Sequence, residues 1–329
     1  MASINDVAKK AGVGVSTVSK VMNNYDNISD ATRKKVMAAV EELDYVPNAV
    51  ASALSSKSSR RVALVVFINN QRQAIDEINM QYLFGSVHRA KEKKLEVITV
   101  LSTDLEGMNA KEIKRHFASL RIQALILFGL SKDNKEFHQI LDEEAYPSVV
   151  VDAPLIGNKT SYVSVDHAQA QYDMMQHMID RYKPENILYL AGRRDGYVTD
   201  LRLQGVVDCC IDNAVTLNPQ YANFSEKEAI EMTKTYANEC NVIVCASDLM
   251  AIGAVHGLKS LDIFRPVCGY DGITLLGYID FEIETVKQDF FDIAVKAIDA
   301  IIDLFNGAKG QGIIADHSII SIKYEDVIM

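Results

Sequence analysis

The chain has 329 residues, long enough for two or three domains. Hydrophobic residues make up 48% of it, which supports sizeable cores and excludes wholesale disorder. The net charge of −10 argues against a nucleic-acid partner only until the chain is divided: the first sixty residues carry +2 and the remainder −12. The basic residues of that head cluster at Lys9-Lys10, Lys20 and Arg33-Lys34-Lys35, so it is suited to DNA, with affinity that falls steeply as salt rises.

The first stretch, Ser3 to Asn24, reads as two short helices joined by a tight turn. Ile4, Val7, Ala8 and Ala11 fall at helical spacing, with Ser3 placed as N-cap and Gly12 placed to end the helix in a left-handed conformation. A second helix begins near Val15 and turns Val18, Val21 and Met22 inward. Ser16, Thr17, Ser19, Lys20 and Asn23 then face outward. Small hydroxyls, an amide and a cation on one face suit a helix laid in a DNA major groove. A third helix follows, capped by Ser29, with Val36, Ala39, Val40 and Leu43 as its inner stripe. Three helices around one core give a helix-turn-helix headpiece over residues 1–46.

Residues 47–60 begin at Pro47, suited to a first helical turn, and end in a Ser-rich linker. A helix of about eight residues here is too short to hold alone in water and should form only against a partner. From Arg61 short apolar runs alternate with amphipathic segments. The runs are 62–68, 95–101, 124–128, 148–152, 162–166, 186–192, 242–247 and 267–271. Helices are expected near 76–94, 109–119, 134–144, 167–182, 200–213, 226–238, 249–260 and 290–306. Continuous apolar strands between helices indicate parallel sheets covered on both faces. Eight such units could close a barrel. Two doubly wound lobes fit better, because polar residues collect at the strand C-ends: Asn69-Asn70, Asp152, Arg193-Arg194-Asp195, Ser247-Asp248 and Asp271.

Five cysteines lie in apolar or helical surroundings without a metal-type pair, which reads as buried, reduced thiols in a cytosolic protein. The polar N-terminus is not a secretory leader, and no apolar run approaches the ~20 residues of a membrane span. The seven histidines show no metal spacing; Asp166-His167 reads as a strand end meeting a helix start. No nucleophile elbow, phosphate loop, zinc-protease motif or paired-carboxylate site is found, so no catalytic residue, metal or cofactor is expected.

The whole chain resembles the LacI/GalR (lactose-repressor) family of bacterial transcription regulators. The head matches in INDVAKKAGVGVSTVSKVMNN, ISDATRKKV and LDYVPNAVASAL; the body matches in LAGRRDGYVTDLRLQGV, VCASDLMAIGA, GYDG and TVKQDF. The resemblance implies a dimer on a pseudo-palindromic operator, with affinity switched by a small effector. Val15, Ser16 and Lys20 match base-reading positions, and Ser3, Thr17, Ser19, Asn23, Ser29, Thr32 and Asn48 match phosphate-contacting or capping ones. Residues 47–60 match the hinge helix, with Ala51 among its DNA contacts and Leu54 as the minor-groove wedge. The body, 61–329, is implied to be a two-lobed, periplasmic-binding-protein-like core. Its first lobe is about 61–161 and 291–321, its second about 162–290 and 322–329, with crossovers near 161–163, 288–291 and 320–323.

In that core Asp152, Arg202, Ser247 and Asp271 match effector-contacting positions, and Phe224 roughly matches an aromatic that stacks on the ligand. A carboxylate and a forked guanidinium on opposite lobes can clamp sugar hydroxyls, which both donate and accept. Each residue also has a plainer reading: Arg202 paired with Asp200, Asp152 and Asp271 as turn residues, Phe224 as core, and Arg193-Arg194 as a solvated pair. Arg193 alternatively points to an anionic effector, a sugar phosphate or sugar acid. Gly14, Ser52, Ser247 and the segment 69–85 depart from the family pattern. Ser247 and 69–85 would fit the alternative of control by a phosphorylated carrier protein. The segment IKYEDVIM at residues 322–329 is strand-like and is not followed by leucine heptads, which argues against a coiled-coil tetramer.

Overall fold

A computed structural model describes residues 2–22, 28–45, 60–68 and 77–328. The expectations for Asn23, for the hinge segment with Asn48, Ala51 and Leu54, and for Asn69-Asn70 lie outside the described residues. The chain divides into two compact units, Met1–Ser59 and Arg60–Met329.

The first unit contains α1 (Ile4–Ala11), α2 (Val15–Met22) and α3 (Asp30–Glu42). Ser3 and Asp6 form a reciprocal capping box: the Asp6 backbone N–H donates to Ser3 Oγ at 3.3 Å, and the Ser3 backbone N–H donates to Asp6 Oδ2 at 2.8 Å. Gly12 closes α1 at φ 66°, a left-handed conformation that costs a side-chain-bearing residue more. Ser29 accepts from the Thr32 backbone N–H and starts α3. Val7, Ala8, Val18, Val21, Val36 and Ala39 are buried together as one small core.

Among its described residues the second unit holds two six-stranded sheets. The first is built from β1 (Arg61–Val66), β2 (Glu96–Leu101), β3 (Ala124–Phe128), β4 (Ser148–Val151), β5 (Thr160–Val165) and β11 (Gly312–Ala315). Its order is β11-β5-β4-β3-β1-β2, parallel throughout. It is covered by α4 (Glu77–Glu92), α5 (Ala110–Ser119), α6 (Lys135–Asp142) and α11 (Phe290–Phe305). The second sheet is built from β6 (Asn186–Ala191), β7 (Thr216–Tyr221), β8 (Val242–Cys245), β9 (Val267–Asp271), β10 (Glu284–Gln288) and β12 (His317–Ser321). Its order is β12-β10-β9-β8-β6-β7, with β12 alone antiparallel to its neighbour. With it belong α7 (His167–Tyr182), α8 (Tyr197–Asp212), α9 (Glu226–Tyr236), α10 (Asp248–Leu261) and the short α12 (Tyr324–Val327). Two doubly wound lobes are therefore present, not a barrel.

Among the described residues the chain passes between the lobes three times. The passage from β10 to α11 falls within the expected 288–291. The other two are displaced. The first follows Val165 rather than 161–163, because β5 stays paired with β11 through its last residue, Val165. The third is at Asp316 rather than 320–323, because β12 pairs with β10, so 317–321 belongs to the second lobe. The strand-like reading of IKYEDVIM is also corrected: Tyr324–Val327 is a helix, and the last strand ends at Ser321. Among the described residues, no helix is long and apolar enough to cross a membrane.

Candidate functional site: a cleft between two lobes and an exposed recognition helix

All six effector-site residues expected from the sequence line one cavity of about 260 Å³ between the lobes: Asp152, Arg193, Arg202, Phe224, Ser247 and Asp271. Five stand at or just past a strand end or at a helix start, and Arg202 stands in the second turn of α8, where an open α/β sheet leaves its crevice. Four non-glycine cavity residues carry positive φ: Asp152 at 62°, Asn223 at 53°, Phe224 at 56° and Asp271 at 125°. Backbone held in this sparsely populated region is found where surrounding structure fixes it, and binding sites are a common place.

Arg202 is the centre of the second lobe's wall. It rises from α8, is 4% exposed, donates through Nη1 to the Ala246 carbonyl at 2.5 Å, and lies 3.6 Å from Asp271 Oδ1. Its guanidinium also stacks on the Tyr270 ring, 3.7 Å from the centroid. The plainer pairing with Asp200 does not occur: Asp200 pairs with Lys132 of the first lobe. Asp271 takes a hydrogen bond from Gln288 Nε2 at 3.1 Å.

Asp152 faces from the first lobe. Tyr82 donates to its Oδ2 at 2.8 Å, and His167 Nε2 lies 3.1 Å from its Oδ1. Burial works to raise this carboxyl, but the bonds from His167 and Tyr82 and the charge of Arg202 hold it below the ordinary carboxylate range. Asp271 goes the other way. Burial pushes it up to about 8, with Arg202 opposing and Asp248 and Asp152 adding to the rise. Burial likewise brings Asp248 to about 6.

These shifts set a pH dependence. Folded Asp271 keeps its proton until about pH 8, whereas in the unfolded chain it ionises near the ordinary carboxylate value. The folded state therefore binds the extra proton in between, and raising pH through that window weakens folding. His167, pushed down by burial and Arg202, contributes the opposite slope only below the ordinary imidazole range. Between about pH 6.5 and pH 8 the slope from Asp271 is not offset by His167. Melting temperature should fall across that interval, and Asp271→Asn should flatten the fall; an unchanged slope in the variant would remove Asp271 as its source.

Phe224 lies on Gly192. A Cβ built at Gly192 would sit 2.0 Å from Phe224 Cζ, so only glycine lets the ring rest there. The ring is half-buried and borders the cavity, more than the core residue of the plainer reading. Gly192→Ala should swing it into the cavity and weaken ligand binding about tenfold, read by calorimetry, with a smaller loss of stability. Ser247 uses its hydroxyl to cap α10, accepting from the Met250 backbone N–H at 3.3 Å, while still bordering the cavity.

Arg193 does not bear out the anion-site reading. Its fork is bidentate on Asp195, at 2.9 and 2.6 Å, and Arg194 lies over the Tyr221 ring at 3.7 Å. The positive charge is matched at once by its neighbour. Tyr82, Gln288 and His167 were not singled out from the sequence. Gln288 falls in the quoted TVKQDF motif, which was a usable signal; Tyr82 gave none. His167 was seen only as a helix start.

In the head, Val15 is 41% exposed and Ser16 and Lys20 are exposed, as a reading face requires, while Thr17 and Ser19 are half-buried. Val15 is an exposed β-branched residue beside hydroxyls, suited to a thymine methyl. Ser3 and Ser29 serve as helix caps, and the Thr32 hydroxyl lies 2.9 Å from that of Ser29.

Comparison with known proteins places this geometry. Residues 3–48 match the family "Bacterial regulatory proteins, lacI family". The chain is 27% identical over 321 residues to the HTH-type transcriptional regulator AscG of Escherichia coli K12, covering 93% of each. It superposes on the lac repressor dimer bound to operator and the anti-inducer ONPF with a TM-score of 0.81 at 23% identity, covering 97% of each chain. It superposes on the CelR–cellobiose complex with a TM-score of 0.71 at 24% identity, covering 97% of this chain and 98% of that one. The core also shares its two-lobed form with a periplasmic solute-binding protein. Head, lobed core and cleft thus agree: residues 3–48 match the lacI family of bacterial regulatory proteins, and the chain as a whole is similar to HTH-type transcriptional regulators that share this two-lobed fold.

Proposed function

We propose that the chain is a repressor, not an enzyme, that grips a pseudo-palindromic operator as a homodimer in the cytoplasm and is switched by a neutral, sugar-like effector in the cleft. The convergence of Asp152, Arg202, Asp271 and Phe224 on one cavity carries this reading. Val15, Ser16 and Lys20 read bases, supported by Ser3, Thr17, Ser19, Asn23, Ser29 and Thr32. Residues 47–60 form the hinge through Asn48, Ala51 and Leu54. Exposed Met80, Phe84 and Val87 make an apolar stripe on α4 beside Phe291, which supports pairing with a second copy.

The charge balance of the cleft favours a neutral ligand. Asp152 is ionised, Arg202 is cationic, Asp271 is protonated near neutral pH and Arg193 is cancelled by Asp195. An added anion would meet no net positive field, which weighs against sugar phosphates and acids. A polyol can donate to Asp152 and accept from Arg202 while its apolar face rests on Phe224. Because the ligand touches both lobes, it favours one relative setting of them, and its effect on operator affinity equals the operator's effect on its own.

Calorimetry with cellobiose, other neutral saccharides and their phosphates is the direct test. A neutral sugar should bind, with its phosphate at least about tenfold weaker. Tight binding of the phosphates alone would overturn the neutral assignment, and binding of neither would move control to a partner such as a phosphorylated carrier protein.

A further inference from the structure

His167 is the first residue of α7, immediately after the chain leaves β5 and crosses from the first lobe to the second. It is 1% exposed. Its Nε2 lies 3.1 Å from Asp152 Oδ1 on the first lobe; its Nδ1 lies 2.8 Å from the Tyr270 hydroxyl and 3.4 Å from Arg202 Nε on the second. The groups facing the ring therefore span both walls of the effector cavity.

These partners fix the tautomer. An ionised carboxylate can only accept, so Nε2 must carry the proton that goes to Asp152. Arg202 Nε can only donate, so Nδ1 must present its lone pair, which leaves the Tyr270 phenol to donate as well. Burial and the neighbouring Arg202 charge both push the imidazole down, with Asp152 and Asp166 opposing, and the net result is a neutral ring. Burial holds the Tyr270 phenol well above its ordinary value, so it remains a donor. An imidazolium would aim a second N–H at Arg202, against like charge. Only the neutral ring with its proton on Nε2 satisfies all three neighbours.

We propose that His167 is a positioning residue: its Nε2-protonated imidazole joins Asp152 to Tyr270 and Arg202 across the crossover and holds the two lobes in the register that presents one cavity. The assignment of that cavity as the effector site is the reading of the preceding subsection, and the role of His167 deepens it. The joint is made wholly by this chain's own side chains. It makes the clamp ready before the effector arrives, so less ordering is left for binding to supply. The side-chain chain is continuous: Tyr82 donates to Asp152, Asp152 accepts from His167, His167 accepts from Tyr270, and Arg202 stacks on Tyr270.

The test uses the full-length protein, three variants at His167 and two cysteine substitutions for labelling. Long-range 1H–15N spectra of 15N-histidine-labelled protein, assigned with His167→Gln, should show the neutral Nε2–H form at neutral pH and still below the ordinary imidazole range. Spin labels at Lys135→Cys on α6 and Lys227→Cys on α9 report the distance between lobes; the five native cysteines are buried. Wild type should give one narrow distribution, and His167→Leu a longer and broader one. His167→Gln keeps an N–H within reach of Asp152 and should recover most of the narrowing. His167→Asn keeps only the acceptor near Arg202 and should recover less. Cellobiose, as probe ligand, should bind His167→Leu about 30-fold more weakly than wild type.

An Nδ1–H or charged ring, or a folded His167→Leu with the wild-type distance and sugar affinity within about threefold, would overturn the proposal. If His167→Leu does not fold, the tautomer and the Gln and Asn variants decide it. If wild type binds no sugar, the reading of the cavity fails instead, and the tautomer and interlobe distance still decide the role of His167.

Discussion

Arg202→Leu should give a protein that binds its operator and no longer responds to its effector. Removing one partner of a buried ion pair ordinarily costs about 3–5 kcal/mol. Here the cost is smaller, because Asp271 already holds its proton to about pH 8 and need not be stranded as an anion. What remains is the unsatisfied Ala246 carbonyl and the lost stacking on Tyr270, together about 2 kcal/mol. That is tolerable for a second unit with an extensive core of its own, and it leaves the headpiece core untouched. Effector binding loses a charged, forked donor, worth about 1.5–3 kcal/mol per hydrogen bond, so affinity should fall about a hundredfold. Calorimetry and operator titration on the same sample separate the two effects. A variant that keeps both sugar affinity and the response would remove Arg202 from the site.

The converse variant is Lys20→Ala. Its side chain is exposed on α2, so folding should be unaffected within about 0.5 kcal/mol. A base or phosphate contact is worth about 1–3 kcal/mol, and a dimer loses it twice. Operator affinity should therefore fall by a hundredfold or more, while sugar affinity of the core in free protein stays unchanged. Together the two variants form a double dissociation between head and cleft. Lys20→Ala with wild-type operator affinity would contradict the reading of α2 as the recognition helix.

Much of the fold was readable because buried strands announce themselves. β1, β3, β4, β6 and β8 are covered on both faces and appear as unbroken apolar runs. β7 was missed: it reads TLNPQY, contains Pro219 and lies half-exposed at a sheet edge, where neither apolar continuity nor a full hydrogen-bond ladder is needed. β10 to β12 were missed for similar reasons, since they are short, polar or half-exposed.

The cavity was legible as a set of strand-end residues, but its internal wiring was not. Tyr82 meets Asp152 across 70 residues, and His167 meets Tyr270 across 103. No local pattern encodes such pairs. Arg193 shows the opposite failure: the sequence displayed its charge, and only the fold revealed that Asp195, two residues on, faces it in a bidentate pair.

The most direct measurement is an operator titration. A site selected from random duplex DNA would be titrated with the full-length protein at two salt concentrations, with and without the neutral sugar that binds best by calorimetry. The account predicts sequence-specific binding by two protomers, a steep loss of affinity with salt, and a shift of about five- to 150-fold on adding the sugar, abolished in Arg202→Leu. Specific binding that no cleft ligand alters, or that Arg202→Leu still lets the sugar alter, would contradict it.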